Sequence, residues 1–171
     1  MKLQLTFVVD GQPCALARPG IGVVSRGGKQ RAHAYDPDKN KVAKAHVGLV
    51  AGLAMRDGKV GGLLKGPLEM RVIFWRLRPV SKQIKDPGRL TEENLLKKSY
   101  PITTPDLDNM LKLVCDACEG IVYKNDSQIV QALAYKRYSD KPRTEVIIRC
   151  LGMKDMIIAL WRGLRRKVTH G

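Results

Sequence analysis

The chain has 171 residues, 31 of them Lys or Arg against 16 Asp or Glu, a net charge of +15, and 44% of its residues are hydrophobic. That hydrophobic content is globular and excludes wholesale disorder, and a chain of this length predicts one domain. No apolar run approaches the ~20 residues that cross a bilayer and no signal-peptide core opens the chain, so the expectation is a soluble, cytoplasmic protein whose charge excess calls for a polyanionic partner, not a membrane.

Leu3, Leu5, Phe7 and Val9 alternate with Gln4, Thr6 and Val8, the period-two pattern of a half-buried strand. Residues 10–38 read as a long loop rich in Gly and Pro. Its cations Arg18, Arg26, Lys29 and Arg31 suit a flap that touches nucleic acid, because loops this long are uncommon unless they carry function. From Lys39 to about Arg56 a helix is expected, with Val42, Ala45, Leu49, Gly52 and Leu53 as its apolar stripe. Leu68 to Leu77 reads as a second strand, and Arg76 and Arg78 at its end are further candidate nucleic-acid contacts. Residues 79–104 read as irregular, with a short helix at 91–98. A helix follows from Pro105 to about Glu119, stopped by Gly120. Strands are expected over Ser127–Tyr138 and Thr144–Leu151, paired as a hairpin. A basic amphipathic helix from Met153 to about Lys167 closes the chain.

Cys14, Cys115, Cys118 and Cys150 are too few and scattered for a disulfide framework, and reduced thiols are expected. Cys115 and Cys118 form a C-x-x-C without a second such pair or a histidine cluster, so small half-buried side chains in a helix explain them better than zinc does. The spacings of known calcium loops and of a Walker loop are absent, and the three histidines neighbour no evident nucleophile.

What stands out is an acidic pair in a basic protein. Asp106 and Asp108 lie two residues apart at a helix start, where free backbone N–H groups and the helix dipole favour negative charge. A cap accounts for one aspartate and leaves the other crowded, with a repulsion of about 1 kcal/mol in water and more when partly buried. A hard divalent cation such as Mg²⁺ or Mn²⁺ reverses that sign. Asp126, after the turn that follows the helix, is the third carboxylate expected to join them. Lys112 shares a helical face with Asp108 and Asp116, and on spacing alone either pairs with Asp108 or reaches a phosphate. Cations that hold a polyanion beside metal-binding carboxylates suit phosphodiester hydrolysis.

The run Pro105-Asp106-Leu107-Asp108-Asn109-Met110-Leu111-Lys112, then Asp116, then Asn125-Asp126-Ser127-Gln128-Ile129-Val130, resembles the motif set of the RusA family of Holliday junction resolvases. Gly11-x-Pro13, Arg18-Pro19 and Asp36-Pro37 resemble its phage-type members. Met110, Asn125 and Ile129 stand where Leu, Asp and Val are usual, and none of these departures touches a proposed ligand. The resemblance covers residues 3–150. It implies an α/β (α+β) fold in which one mixed sheet packs against helices, forming an endonuclease domain over 1–152; the helical tail expected over 153–171 has no counterpart in the resemblance. It further implies a homodimer that cuts a four-way DNA junction with Mg²⁺, or Mn²⁺ in its place, leaving 5′-phosphate nicks. Carried over by position, Asp106, Asp108 and Asp126 are metal ligands, Lys112 is catalytic, and Asn109 and Asp116 support them. Two other readings stay open on sequence: a non-catalytic basic nucleic-acid-binding protein, and a metal-dependent nuclease for other branched or single-stranded DNA.

Overall fold

Alternation along Gln4–Asp10 turns Leu5, Phe7 and Val9 inward and makes β1. The computed structural model describes residues 3–18, 20–26, 29–35, 37–82, 87–89 and 91–153, so the expected C-terminal helix lies outside the described residues. In chain order, β1 is followed by β2 (Gly20–Arg26), β3 (Lys29–Tyr35), α1 (Asp38–Asp57), β4 (Leu68–Leu77), α2 (Glu92–Ser99), α3 (Leu107–Cys118), β5 (Ile129–Ser139) and β6 (Arg143–Cys150).

Four strands form one mixed sheet in the order β1-β6-β4-β5, and β2 and β3 form a two-stranded sheet of their own. β6 runs antiparallel to both β1 and β4, whereas β4 and β5 are parallel. The expected pairing of the last two strands is therefore corrected. β4 lies between them, and residues 140–142 step over its end, with Arg143 Nη1 and Lys141 N both donating to Ser139 Oγ. Strands two places apart are about 10 Å from one another, within reach of so short a link.

One sheet face carries the core. Leu68, Met70, Val72 and Phe74 of β4, Val146 and Ile148 of β6 and the β1 residues meet Val47, Ala51 and Met55 of α1 and Met110, Leu113, Val114, Ala117 and Cys118 of α3. Each fully buried Val or Leu contributes about 1.5–3 kcal/mol. α1 turns a different face inward from the one its stripe suggested: Val42, Leu49 and Leu53 are exposed. The buried face uses small residues because the helices approach closely there. A Cβ on Gly48 would stand 2.8 Å from Ile121 Cδ1 and 3.1 Å from the Ala117 carbonyl oxygen. Gly120, at φ +75°, supplies the left-handed turn that ends α3.

Gly20–Arg26 and Lys29–Tyr35 pair as antiparallel strands within the expected loop, in register from Gly20↔Tyr35 to Arg26↔Lys29. Ile21 and Val23 are exposed on them. The base of the pair is tied down on both sides. The Ala17 N–H donates to Asn40 Oδ1 at 2.8 Å, Asn40 Nδ2 donates to the Ala17 carbonyl at 3.0 Å, and the Leu16 N–H donates to the Asn109 carbonyl at 3.2 Å. Asn40 is 2% exposed, so it satisfies the backbone of this segment from within the fold.

Candidate active site

α3 starts where β4 and β5 finish. Lys136, late on β5, donates through Nζ to the carbonyls of Thr103 and Pro105 at 3.1 and 3.0 Å, and Arg76, late on β4, donates through Nη1 to Thr103 at 3.3 Å. Asp106 follows at the N-cap position of α3, yet its side chain makes no capping hydrogen bond. The simplest structural job for that aspartate is thus left undone. Asp108 stands in the first turn, and Asp106, Asp108 and Lys112 are all exposed. Among the described residues Lys112 forms no ion pair with Asp108, which removes the i, i+4 bridge as its explanation.

Asp116 points elsewhere on α3. Its Oδ2 is 4.0 Å from Lys44 Nζ on α1, a contact that ties the two helices. Asn109 offers its backbone carbonyl to Leu16, which brings the segment ending in exposed Arg18 against the start of α3. Arg78 stacks over the Tyr138 ring at 5.0 Å and donates to the Lys98 carbonyl at 2.8 Å. Arg76 and Arg78 are thus both engaged within the fold and are not presented as open cations. The side chains of Arg26, Lys29 and Arg31 lie outside the described residues, although their backbone runs through β2 and β3.

Asp126 does not return to the first pair. It opens a 3-10 turn (Asp126–Gln128) just before β5, at the far end of α3. Its charge acts on Cys115 and Tyr123, and Cys115 lies seven residues beyond Asp108, ~10 Å along a helix axis. Among the described residues no three acidic, His or Cys side chains stand together as a metal cage. Within one chain the three carboxylates stand apart, because α3 runs three turns away from Asp108 before the chain reverses.

The turn around Asp126 is built by residues whose role the motif alone did not show. Asn125 Oδ1 accepts from the Ser127 N–H, and Gln128 Oε1 accepts from the N–H groups of Lys124 and Asn125. Gln128 Nε2 donates to the carbonyls of Leu64 and Gly66. Gln128 therefore joins three chain segments beneath an exposed carboxylate. Only the capping-box spacing, Asn125 to Gln128, was there to be read in sequence.

Electrostatics separate the thiols from the acids. Burial first, then the charges of Asp126 and Asp116, push the Cys115 thiol up to about 11. Burial, then Cys115, pushes Cys118 up to about 12. Cys115 Sγ lies 3.7 Å from Met70 Sδ, the packing expected of a structural thiol. Burial, then the Arg76 guanidinium, holds the Lys136 ammonium below the ordinary lysine range, while the Asp106 carboxylate acts in the opposite direction.

A hard divalent cation suits the Asp106/Asp108 pair. The donors are carboxylate oxygens free of ion pairs among the described residues, and Mg²⁺ is commonly held by one or two carboxylates with water and phosphate completing its shell.

Comparison with known proteins agrees with this layout. The family model described as Endodeoxyribonuclease RusA matches residues 10–149. A Bacillus subtilis (strain 168) protein described as "Uncharacterized protein YqaN" is 38% identical over 146 residues, which cover 85% of this chain and 95% of that protein. With motif, mixed sheet and family model in accord, the chain belongs to the RusA endodeoxyribonuclease family.

Proposed function

We propose that the protein resolves Holliday junctions by paired, divalent-metal-dependent hydrolysis of phosphodiesters, leaving 5′-phosphate nicks. The observation that carries this reading is an N-cap aspartate that does not cap, two residues from a second exposed aspartate, with Lys112 one helical turn beyond that second aspartate and without an ion pair among the described residues. Asp106 and Asp108 would hold Mg²⁺ or Mn²⁺; the family resemblance adds Asp126, which within one chain stands at the other end of α3, so the Asp126→Asn variant decides its part in the site. The ion, when bound, would activate water and offset the charge that grows on phosphorus. Lys112 neutralises charge on the scissile phosphate or its leaving oxygen, which an unpaired ammonium does better than one already bound to Asp108. Arg18, held beside α3 through Leu16 and Asn109, and the hairpin cations Arg26, Lys29 and Arg31 neutralise flanking phosphates. A homodimer places two such sites on opposing strands, and sedimentation tests it.

The test is cleavage of a labelled four-way junction beside linear duplex and flap controls, with Mg²⁺, with Mn²⁺ and with EDTA. The wild-type protein should cut the junction in preference to the controls, and EDTA should abolish cutting. Asp106→Asn and Asp108→Asn should bind the junction and fail to cut it. Normal cutting by either variant refutes the carboxylate assignment, and normal cutting by Asp126→Asn removes that residue from the site. Equal cutting of duplex and flap points to a nuclease of broader substrate range.

A further inference from the structure

We propose that Lys136, reaching from β5 to the carbonyls of Thr103 and Pro105, is a positioning residue that fixes the backbone presenting the Asp106 carboxylate at the metal site; this rests on the function proposed above. The segment between α2 and α3 belongs to neither helix, so its course into Asp106 is set by what binds its carbonyls. Two cations do so from the ends of the parallel strands. Lys136 Nζ takes Thr103 and Pro105, and Arg76 Nη1 shares Thr103. An ammonium has three donors. Two are spent on these carbonyls, one of which belongs to the residue just before Asp106.

The choice of lysine carries the argument further. Withdrawing a charge from water is costly, and a neutral donor would bridge two carbonyls without that cost. A cation adds what a neutral donor lacks: an opposing charge for Asp106, whose carboxylate makes no capping bond at the helix end. Lys136 thereby fixes the chain at Asp106 from β5 and offsets part of the negative charge there, while its hydrogen bonds go to carbonyls and leave the carboxylate oxygens to a metal. Partners of metal ligands that act in this way typically change metal affinity or activity by about 10–100-fold when removed.

The test compares Lys136→Met, Lys136→Arg and Lys136→Gln with the wild-type protein in direct Mn²⁺ binding, followed by electron paramagnetic resonance of free Mn²⁺, and in junction cleavage against Mg²⁺ concentration. Lys136→Met should weaken Mn²⁺ binding about tenfold and raise the half-saturating Mg²⁺ to match, while junction affinity in EDTA stays unchanged. Lys136→Arg, which keeps charge and donors, should restore both. Unchanged binding overturns the proposal, and so does tighter binding, because a cation that merely repelled the metal would give that result. Restoration by Gln but not by Arg also overturns it, since a tie between carbonyls would then suffice. If Lys136→Met does not fold, as shown by circular dichroism, the Arg and Gln variants decide by the same criteria. A wild-type protein that neither binds Mn²⁺ nor cuts the junction defeats the function proposed above, whereas a wild-type protein that does both, matched by Lys136→Met, defeats this inference alone.

Discussion

Replacing Asn40 with Ala tests whether the hairpin base is held by one side chain. Asn40 is 2% exposed, and its amide meets both polar groups of Ala17, at 2.8 and 3.0 Å. Each such bond contributes about 1 kcal/mol net, and a buried polar group left without a partner costs about 1–3 kcal/mol. If the segment stays in place, Asn40→Ala should therefore cost about 2–4 kcal/mol. Asn40→Asp keeps the acceptor for the Ala17 N–H and loses the donor, so it should cost roughly half as much from this source. If the segment lifts away instead, water satisfies Ala17 and the stability loss shrinks, but Arg18 is no longer held beside α3 and junction binding weakens. Urea unfolding with the slope held constant reads the first outcome, and junction affinity across a salt series reads the second. A loss under about 0.5 kcal/mol together with unchanged affinity would refute the clamp.

Two further outcomes follow from the same structure. Gln128→Leu removes four hydrogen bonds that join residues 64–66, 124–125 and the start of β5; it should cost about 2 kcal/mol or more in urea unfolding, and a neutral result would mean that the Asp126 turn is held by Asn125 alone. Cys115 and Cys118, thiols with an ordinary value of 9.0, are raised to about 11 and about 12 in the fold. Between these limits the folded state keeps protons that the unfolded state has lost, so their contribution is complete below pH ~9 and declines as pH rises through the folded values. At about 1.4 kcal/mol per unit, Cys115 alone accounts for on the order of 3 kcal/mol, and burial of Tyr123 acts in the same direction. Stability measured by urea should therefore fall above pH ~9 and fall less in Cys115→Ala; a flat profile would contradict the burial of these thiols.

Periodic elements were legible because periodicity reports one buried face. β1 and β4 show their inner residues as alternation, and α3 shows Met110, Val114 and Cys118 at helical steps. α1 carries apolar residues on two faces, and the buried one was obscured because close packing against α3 selects Gly48 and Ala51 there while Val42 and Leu49 remain outside. The pairing of these strands was hidden because their described side chains at Ile21, Val23, Ser25, Gln30 and Ala32 are exposed and give no buried alternate row, although Gly27-Gly28 is a turn signal between two short runs. Strand order was hidden for another reason. A three-residue link suggests a hairpin, and nothing in β5 or β6 announces that β4 lies between them. The helix start puts Asp106, Asp108 and Lys112 on the first turns of α3 as expected, since three residues on one helix need only its period. Asp126 required knowledge of where the chain reverses. Asn40, Gln128 and Lys136 act across 23, 64 and 31 residues of sequence, and a single hydrogen-bonding side chain leaves no periodic trace.

The distribution of charge explains how a protein of net charge +15 keeps an acidic site open. Cations are abundant enough to neutralise every carboxylate, and many do. Glu69, 5% exposed on β4, is held by Arg71 and Arg149; Glu145 pairs with Arg143, Asp116 with Lys44, Glu93 with Lys97 and Asp38 with Lys41. The cations nearest the α3 start are instead turned onto carbonyls: Lys136 and Arg76 bind Thr103, and Arg78 binds Lys98. Backbone oxygens engage these cations without capturing the aspartates as ion-pair partners. A guanidinium bound directly to Asp106 would compete with a metal for the same oxygens; one bound to Thr103 leaves them free while still lowering the cost of bringing a phosphate near two negative charges. The carbonyls of the α2–α3 connection thus separate the cations at this end of the sheet from the two carboxylates, which stay uncommitted as the proposed metal site requires.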